Sequence, residues 1–348
     1  MSTCKVFIYP ANNNENQYVN IQETAIRNAG CTVTYSLKDF FKIDYFLLSW
    51  FETLGGNRKI DYMKKCFKLF MLKLFHKKVL FVLHNKKPHT KSKNDKYSNL
   101  SIKLMKKLLK ISYKIIILCD ESKNVLKSLC KDKTFYEQKI FKIQHPNYIG
   151  VYPVTKKEFF SLSNDSLKIL YIGQINQYKN IDLLINAVNS LEDYAIHLHI
   201  AGNCKNEEYK EYLLQSAINK NISFDFRFIP DTDLVNIMTE FDIIVLPYSY
   251  ESSLNSGTIF LAFSYKKTVI APMIGTLKEF SDKSFFYGYD YKNDAEHQEN
   301  LTKKILEVYN DYKCDNKILL NKGEVAYKNV LENNSLKKIS DLYTKLLI

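Results

Sequence analysis

Cysteine, glycine, proline, tryptophan and arginine are all scarce in this chain of 348 residues. The 7 cysteines stand at 4, 31, 66, 119, 130, 204 and 314 without a single CxxC pair. That spacing excludes a zinc ribbon and a disulfide framework, and it fits a reducing compartment. Only 10 glycines and 7 prolines exclude a collagen-like or low-complexity chain. Of the 50 basic residues only Arg27, Arg58 and Arg227 are arginine. Base readout in nucleic acids favours the arginine fork, and no helix-turn-helix or RNP-like motif is present, so no nucleic-acid partner is expected. There is no DxD between apolar strands and no histidine pair at i, i+4, so no metal site is expected either. The longest apolar runs, 45–51 and 79–83, are far shorter than the roughly 20 residues that span a bilayer. The opening MSTCKVFIYP passes straight into a strand-like run without a basic and then apolar leader. A cytoplasmic protein is expected, with any membrane contact peripheral.

What is present is apolar and aromatic: 46% of residues are hydrophobic, with 25 Tyr and 22 Phe, enough for about two cores at this length. The net charge of +13 is unevenly held. Residues 1–150 carry 28 basic and 11 acidic side chains, and residues 58–114 alone carry 18 and 2. The remainder, 151–348, is slightly acidic with 22 and 26. Two candidate helices lie in the basic block. In 99–112, Leu100, Leu104, Leu108 and Ile111 form one stripe and Lys103, Lys106, Lys107 and Lys110 another. In 61–78, Phe67, Phe70, Met71 and Leu74 oppose Lys64, Lys65, Lys68 and Lys77. Such cationic amphipaths suit an anionic inner leaflet, where each nearby lysine contributes roughly 1 kcal/mol. They equally suit helices whose apolar stripes face the domain's own core.

Short β-branched or aromatic runs alternate with longer amphipathic stretches, the pattern of parallel strands joined by crossover helices. Strands are predicted at 5–9, 32–35, 45–48, 79–83 and 114–118, then again at 167–172, 197–200, 224–228, 243–246 and 268–270. Two α/β domains follow, 1–150 and 151–334, with the boundary in 144–155, where Pro146, Gly150 and Pro153 interrupt any periodicity. A final helix over 335–348 packs back on the first domain in this reading.

Two segments carry chemistry. In YIGQINQYKNIDLLINAV, 171–188, a strand ends at Gly173, and Lys179 precedes a helix with apolar Ile181, Leu184, Ile185 and Val188. A backbone turn at a strand's carboxyl end, beside a helix start and an ammonium group, suits a phosphate. A plain turn with a solvated lysine is the other reading. In YESSLNSGTIFLAFSYKKTVIAP, 250–272, Ser256 can cap a helix, and Gly257 admits a ligand to its first amides. That start can cradle a pyrophosphate or simply be capped.

In order, GQINQYKN (173–180), AGN (201–203), LPY (246–248), NSGT (255–258), TVIAP (268–272) and GTLKE (275–279) resemble the donor half of the GT-B glycosyltransferases of the group 1, or family 4, type. The amino-terminal half is similar in LLSWFE (47–52), HNKKPH (84–89) and HPNYIGVYP (145–153). The resemblance implies a GT-B fold, two Rossmann-like domains facing each other across a cleft. It also implies transfer of a sugar from a nucleoside diphosphate sugar, UDP- or GDP-linked and with no further cofactor, in a retaining and metal-independent reaction. The acceptor would be a lipid-linked or oligosaccharide species of surface-polysaccharide assembly at the inner face of the plasma membrane.

Carried onto matching positions, the resemblance assigns Lys179 to the donor diphosphate and the amides of Ser256, Gly257 and Thr258 to its phosphates. Gly173 would admit the donor closely, beside Gln174, Asn176, Glu251 and Asn255. Gly202 and Ile229 would flank the nucleoside, and Glu279 would reach a sugar or ribose hydroxyl. His84 would reach the donor sugar, and Glu52 would orient the acceptor or take its proton. The chain departs from the family at Ser253 and Leu261, where two glutamates eight positions apart are usual, and at Gln174 and Asn176, where arginine is usual. These departures favour either a divergent active site or a non-catalytic GT-B subunit that supports a partner enzyme.

Overall fold

The structure is a computed structural model of the chain, and the residues it describes are 4–11, 16–86, 98–130, 132–154 and 166–348. The chain divides into two compact units. The first comprises Met1–Pro146, Glu251–Asn255 and Asn334–Ile348; the second comprises Asn147–Tyr250 and Ser256–Asn333.

In the first unit the strands are β1 (Lys5–Tyr9), β2 (Thr32–Thr34), β3 (Tyr45–Ser49), β4 (Lys78–Leu83), β5 (Ser112–Ile117) and β6 (Ile140–Lys142). They form one parallel sheet in the order β2-β1-β3-β4-β5-β6. The helices are α1 (Gln17–Asn28), α2 (Arg58–Leu74), α3 (Ser98–Ile111), α4 (Ser122–Leu129) and α5 (Lys133–Glu137), with α13 (Leu336–Leu347) returning from the end of the chain. β3 and the body of β4 are buried along their whole length, as a parallel sheet covered on both faces requires. One apolar cluster, with Phe46, Phe81, Leu104 and Leu108, lies under α2 and α3. The other, with Val6, Leu47, Ile26 and Tyr343, lies under α1 and α13. Inside it the Gln22 amide donates to the Tyr343 hydroxyl at 2.7 Å, tying α13 to α1. Gly30, at φ 83°, supplies the left-handed turn that ends α1 and feeds β2.

In the second unit the strands are β7 (Leu167–Ile172), β8 (Ile196–Ala201), β9 (Ile222–Asp225), β10 (Ile243–Val245), β11 (Val269–Pro272) and β12 (Tyr287–Tyr289). The helices are α6 (Ile181–Asn189), α7 (Glu207–Ser216), α8 (Asp231–Thr239), α9 (Gly257–Ser264), α10 (Gly275–Lys278), α11 (Asp294–Cys314) and α12 (Lys317–Asn333). The parallel sheet runs β12-β11-β10-β7-β8-β9. This is the doubly wound order, and its reversal lies between β7 and β10. Ligands of such sheets sit beyond the strands' carboxyl ends at that reversal.

Three expectations change in detail. The first strand boundary of note is β9, predicted at 224–228 but ending at Asp225: the guanidinium of Arg227 forks to Asp225 at 2.8 Å and Asp233 at 3.2 Å and turns the chain away from the sheet. The main domain boundary lies between Pro146 and Asn147 rather than after 150. Asn147 donates to the Val330 carbonyl and the Tyr148 amide to Ser264 Oγ, each at 2.8 Å, so both belong with the second unit. Glu251–Asn255 belongs with the first unit because Leu254 is buried in its core and Asn255 donates to the His84 carbonyl at 2.9 Å.

Candidate functional site

The reversal in the second sheet brings together the loop after β7 and the loop after β10. At the end of β7, Gly173 has φ 141°, and Gly202 at the end of β8 has φ 145°. A Cβ on Gly202 would stand 1.8 Å from the Gly173 carbonyl oxygen, so only glycine permits this approach of the two strand ends. Beyond Gly173, Gln174 is exposed, and its carbonyl accepts the Tyr171 hydroxyl at 2.9 Å. Asn176 opens a single 3-10 turn that closes on Lys179, and Asn180, at φ 54°, starts α6.

Lys179 is held by an aromatic face. Its Nζ lies 4.2 Å from the centre of the Tyr248 ring, which is buried just after β10. Such a contact positions an ammonium without neutralising it. The Tyr248 hydroxyl in turn accepts from Ser256 Oγ at 2.9 Å, and Ser256 Oγ caps α9 by accepting the Ile259 amide at 3.3 Å. One continuous line of contacts therefore joins the ammonium group of Lys179 to the start of α9. The first amides of a helix have no partner within it, and they carry its positive dipole end.

The roles within that start differ from the expectation. The Ser256 amide donates to Thr276 Oγ1 at 3.2 Å, so it is engaged inside the protein and not presented to a ligand. With Ile259 taken by the cap, the amides of Gly257 and Thr258 are the pair of the first turn left without a partner inside the helix. Tyr248 and Thr276 were not singled out as site residues from the sequence. Each stood in a quoted motif without a role of its own, Tyr248 in LPY directly after the strand and Thr276 in GTLKE.

A stack of rings braces the same loop. Tyr250 lies on Tyr291 at 4.4 Å and Tyr291 on His297 at 3.9 Å, both nearly parallel. The Tyr291 hydroxyl accepts the Tyr250 amide at 2.7 Å and donates to the Tyr248 carbonyl at 3.3 Å. Ile229 is half-buried in the segment before α8, next to Phe228, which is exposed. Glu279 is half-buried at the end of α10.

In the first unit the conspicuous groups lie beyond β3 and β4. His84 follows β4 and is buried, stacked on Trp50 at 3.8 Å with Tyr18 edge-on at 5.1 Å. Trp50, directly after β3, is held at φ 51°, a region that bulky residues rarely adopt. His145, 5.1 Å from Tyr18, is buried, which pushes its imidazole down to about 4 and keeps it neutral. Of the HNKKPH motif, Lys87, Pro88 and His89 lie outside the described residues.

Glu52 is completely buried, and neither carboxylate oxygen has a hydrogen-bond partner among the described residues. Burial pushes its carboxyl up to about 7, while its own amide and the Lys65 ammonium pull the other way. Lys65 is itself buried on the inner side of α2, 3.4 Å from Asp61. It was expected on the basic surface with Lys64 and Lys68. The correction follows from the helix phase: Lys65, Leu69 and Leu72 share the face of α2 that packs inward, and Lys64 and Lys68 are exposed. On α3, Lys103, Lys106, Lys107 and Lys110 are exposed while Leu104, Met105, Leu108 and Leu109 are fully buried. Glu251 is exposed, and Ser253 and Leu261, at the positions of the family glutamates, are both buried.

Residues 154–321 match the family of group 1 glycosyl transferases. Over 107 residues the chain is 28% identical to a GDP-mannose:glycolipid 4-beta-D-mannosyltransferase of Xanthomonas campestris pv. campestris, a match covering 30% of each protein. The chain thus spans under a third of the length of that relative. Sucrose-phosphate synthase from Thermosynechococcus elongatus superposes with a TM-score of 0.72 at 14% identity, over 99% of this chain and 98% of that one. HepE from Anabaena, solved with UDP and glucose, gives 0.71 at 11% identity over 99% of both chains. These likenesses, with two parallel six-stranded sheets, show the GT-B fold.

Proposed function

We propose, from the premise that residues 154–321 form a group 1 glycosyl transferase domain, that this protein transfers a sugar from a nucleoside diphosphate sugar to a lipid-linked acceptor. The observation that carries the proposal is the line Lys179–Tyr248–Ser256 at the reversal of the second sheet. A departing diphosphate accumulates negative charge, and a fixed ammonium group with two unspent helix amides stabilises that charge without reorganisation. The nucleotide is supported by HepE, solved with UDP and with UDP-glucose, and the glycolipid acceptor by the mannosyltransferase relative.

In the first unit, His84 is the group for the donor sugar. It is a hydrogen-bonding ring held in one orientation by Trp50 and Tyr18. Glu52 is assigned to the acceptor's proton on the motif resemblance, and its burial raises the proton affinity of its carboxyl. A retaining course, and charge stabilisation by Lys179 and amides in place of a metal, belong to the same proposal and rest on the motif resemblance.

The test is release of nucleoside diphosphate from UDP- and GDP-sugars, with and without a polyprenyl-linked glycan acceptor, before and after EDTA. Acceptor-dependent release that survives EDTA and falls about a hundredfold in Lys179→Ala is expected. Nucleotide binding without turnover under any donor would assign the chain instead to a supporting GT-B subunit, the role that Ser253 and Leu261 favour.

A further inference from the structure

The helix α2 exposes the wrong face for a protein that ends at its own surface. Ile60, Met63, Phe67, Phe70 and Leu74 recur at spacings of three and four, and at 100° per residue they fall within an arc of roughly 80°. That arc is not the packed one. Lys65, Leu69 and Leu72, on the opposite side of the helix, are buried, whereas Met63, Phe67, Phe70 and Leu74 are 63%, 62%, 58% and 54% exposed. The band continues past the helix end, where Phe75 meets Phe41 edge-on at 5.3 Å and Phe41 is 75% exposed. Soluble surfaces carry single exposed apolar side chains commonly, but a contiguous stripe of this length marks a contact surface.

The charges on either side identify the contact. By the same helical phase, Lys64 and Lys68 flank the stripe on one side and Lys59 and Lys73 on the other. The only acid of α2, Asp61, pairs with Lys65 toward the packed side. An apolar stripe edged by lysines on both sides is complementary to a surface that is negative outside and apolar beneath. A second copy of the same face would instead set lysine against lysine.

We propose that the outer face of α2, led by Met63, Phe67, Phe70 and Leu74, inserts into the headgroup boundary of an anionic lipid bilayer, with Lys59, Lys64, Lys68 and Lys73 on its phosphates. This narrows the membrane contact, expected on both basic helices, to the one whose aromatic side chains face out, since the leucines of α3 face the core. Docking of this kind brings a lipid-linked acceptor within reach, yet it needs no transfer activity to operate.

The experiment is flotation of the full chain with vesicles of phosphatidylcholine alone and of phosphatidylcholine mixed with phosphatidylglycerol. The wild type is expected to float with the anionic vesicles. The pair Phe67→Ser and Phe70→Ser should weaken partitioning about tenfold or more, since each exposed ring contributes apolar burial only on insertion. The pair Lys64→Gln and Lys68→Gln should reduce the preference for anionic over neutral vesicles. Unchanged emission from Trp50, inside the first unit, verifies that the variants remain folded, and titration with UDP or GDP, which addresses the second unit, separates loss of docking from failure of the transferase reading. Absence of flotation overturns the proposal. So does serine-variant flotation equal to wild type, loss of flotation on substituting Lys103 and Lys106 alone, or a concentration-dependent dimer that the serine pair abolishes.

Discussion

Glu52 offers a sharp test of the first unit's energetics, because a buried carboxyl that ionises near neutrality must cost stability as pH rises. The perturbation is Glu52→Gln, which keeps the shape and removes the charge. A carboxyl that titrates at 4.5 in the unfolded chain and at about 7 in the folded one favours the folded state only while protonated. The folded state therefore loses stability as pH rises above 4.5, and the loss levels off above about 7. From the linkage relation the cost is about 1 kcal/mol at pH 5 and about 3 kcal/mol at pH 7 to 8. The chain has a single tryptophan, Trp50, two residues away and stacked on His84, so urea unfolding followed by its fluorescence reports the first unit selectively. The Gln variant should gain on the wild type progressively from pH 5 to pH 8, by about 2 kcal/mol across that range. A wild-type-to-variant difference that stays flat would show the carboxyl to be ionised throughout and would refute the reasoning from burial.

The remaining predictions concern other parts of the same scaffold. His145, held down to about 4 by burial, must charge on unfolding, so in the Glu52→Gln background, where the opposing titration of Glu52 is removed, the first unit should lose stability as pH falls from 6.5 toward 4, by about 3 kcal/mol in all; a urea midpoint of that variant unchanged between those values would contradict it. Gly202→Ala should disrupt the second unit far more than Gly173→Ala. The first meets a carbonyl at 1.8 Å, whereas the second meets nothing within 4 Å and carries only conformational strain of about 1 to 3 kcal/mol; limited proteolysis of the two variants would rank them. Ser256→Ala removes the cap of α9 and the bond to Tyr248, and should cost about 1 to 2 kcal/mol in thermal denaturation and weaken nucleotide binding as well.

The two parallel sheets were legible in the sequence because buried parallel strands are short β-branched runs: Leu167–Ile172, Val269–Pro272 and the center of Lys78–Leu83 announce themselves by composition. β6 and β12 were not predicted, since at three residues each they are edge strands with little pattern to display. Motif order singled out Lys179, Gly257 and Thr258 because a phosphate cradle of the kind proposed is built from residues local in sequence. Tyr291 and Thr276 could not be found this way. Tyr291 acts through long-range hydrogen bonds to Tyr250 and Tyr248, and Thr276 through one to Ser256, contacts that only the fold creates. The phase of α2 was equally hidden. Both of its faces are apolar, Leu69 and Leu72 on one and Phe67 and Phe70 on the other, so periodicity alone does not say which faces the core.

The central claim is that the ammonium group of Lys179 and the first amides of α9 bind a nucleotide diphosphate. Calorimetric titration of UDP and GDP into the wild type and Lys179→Ala addresses it directly. Saturable binding of one of the two is expected, weakened about tenfold to a hundredfold in the variant, as loss of a charge-assisted contact requires. Binding of neither nucleotide, or equal binding by wild type and variant, would contradict it.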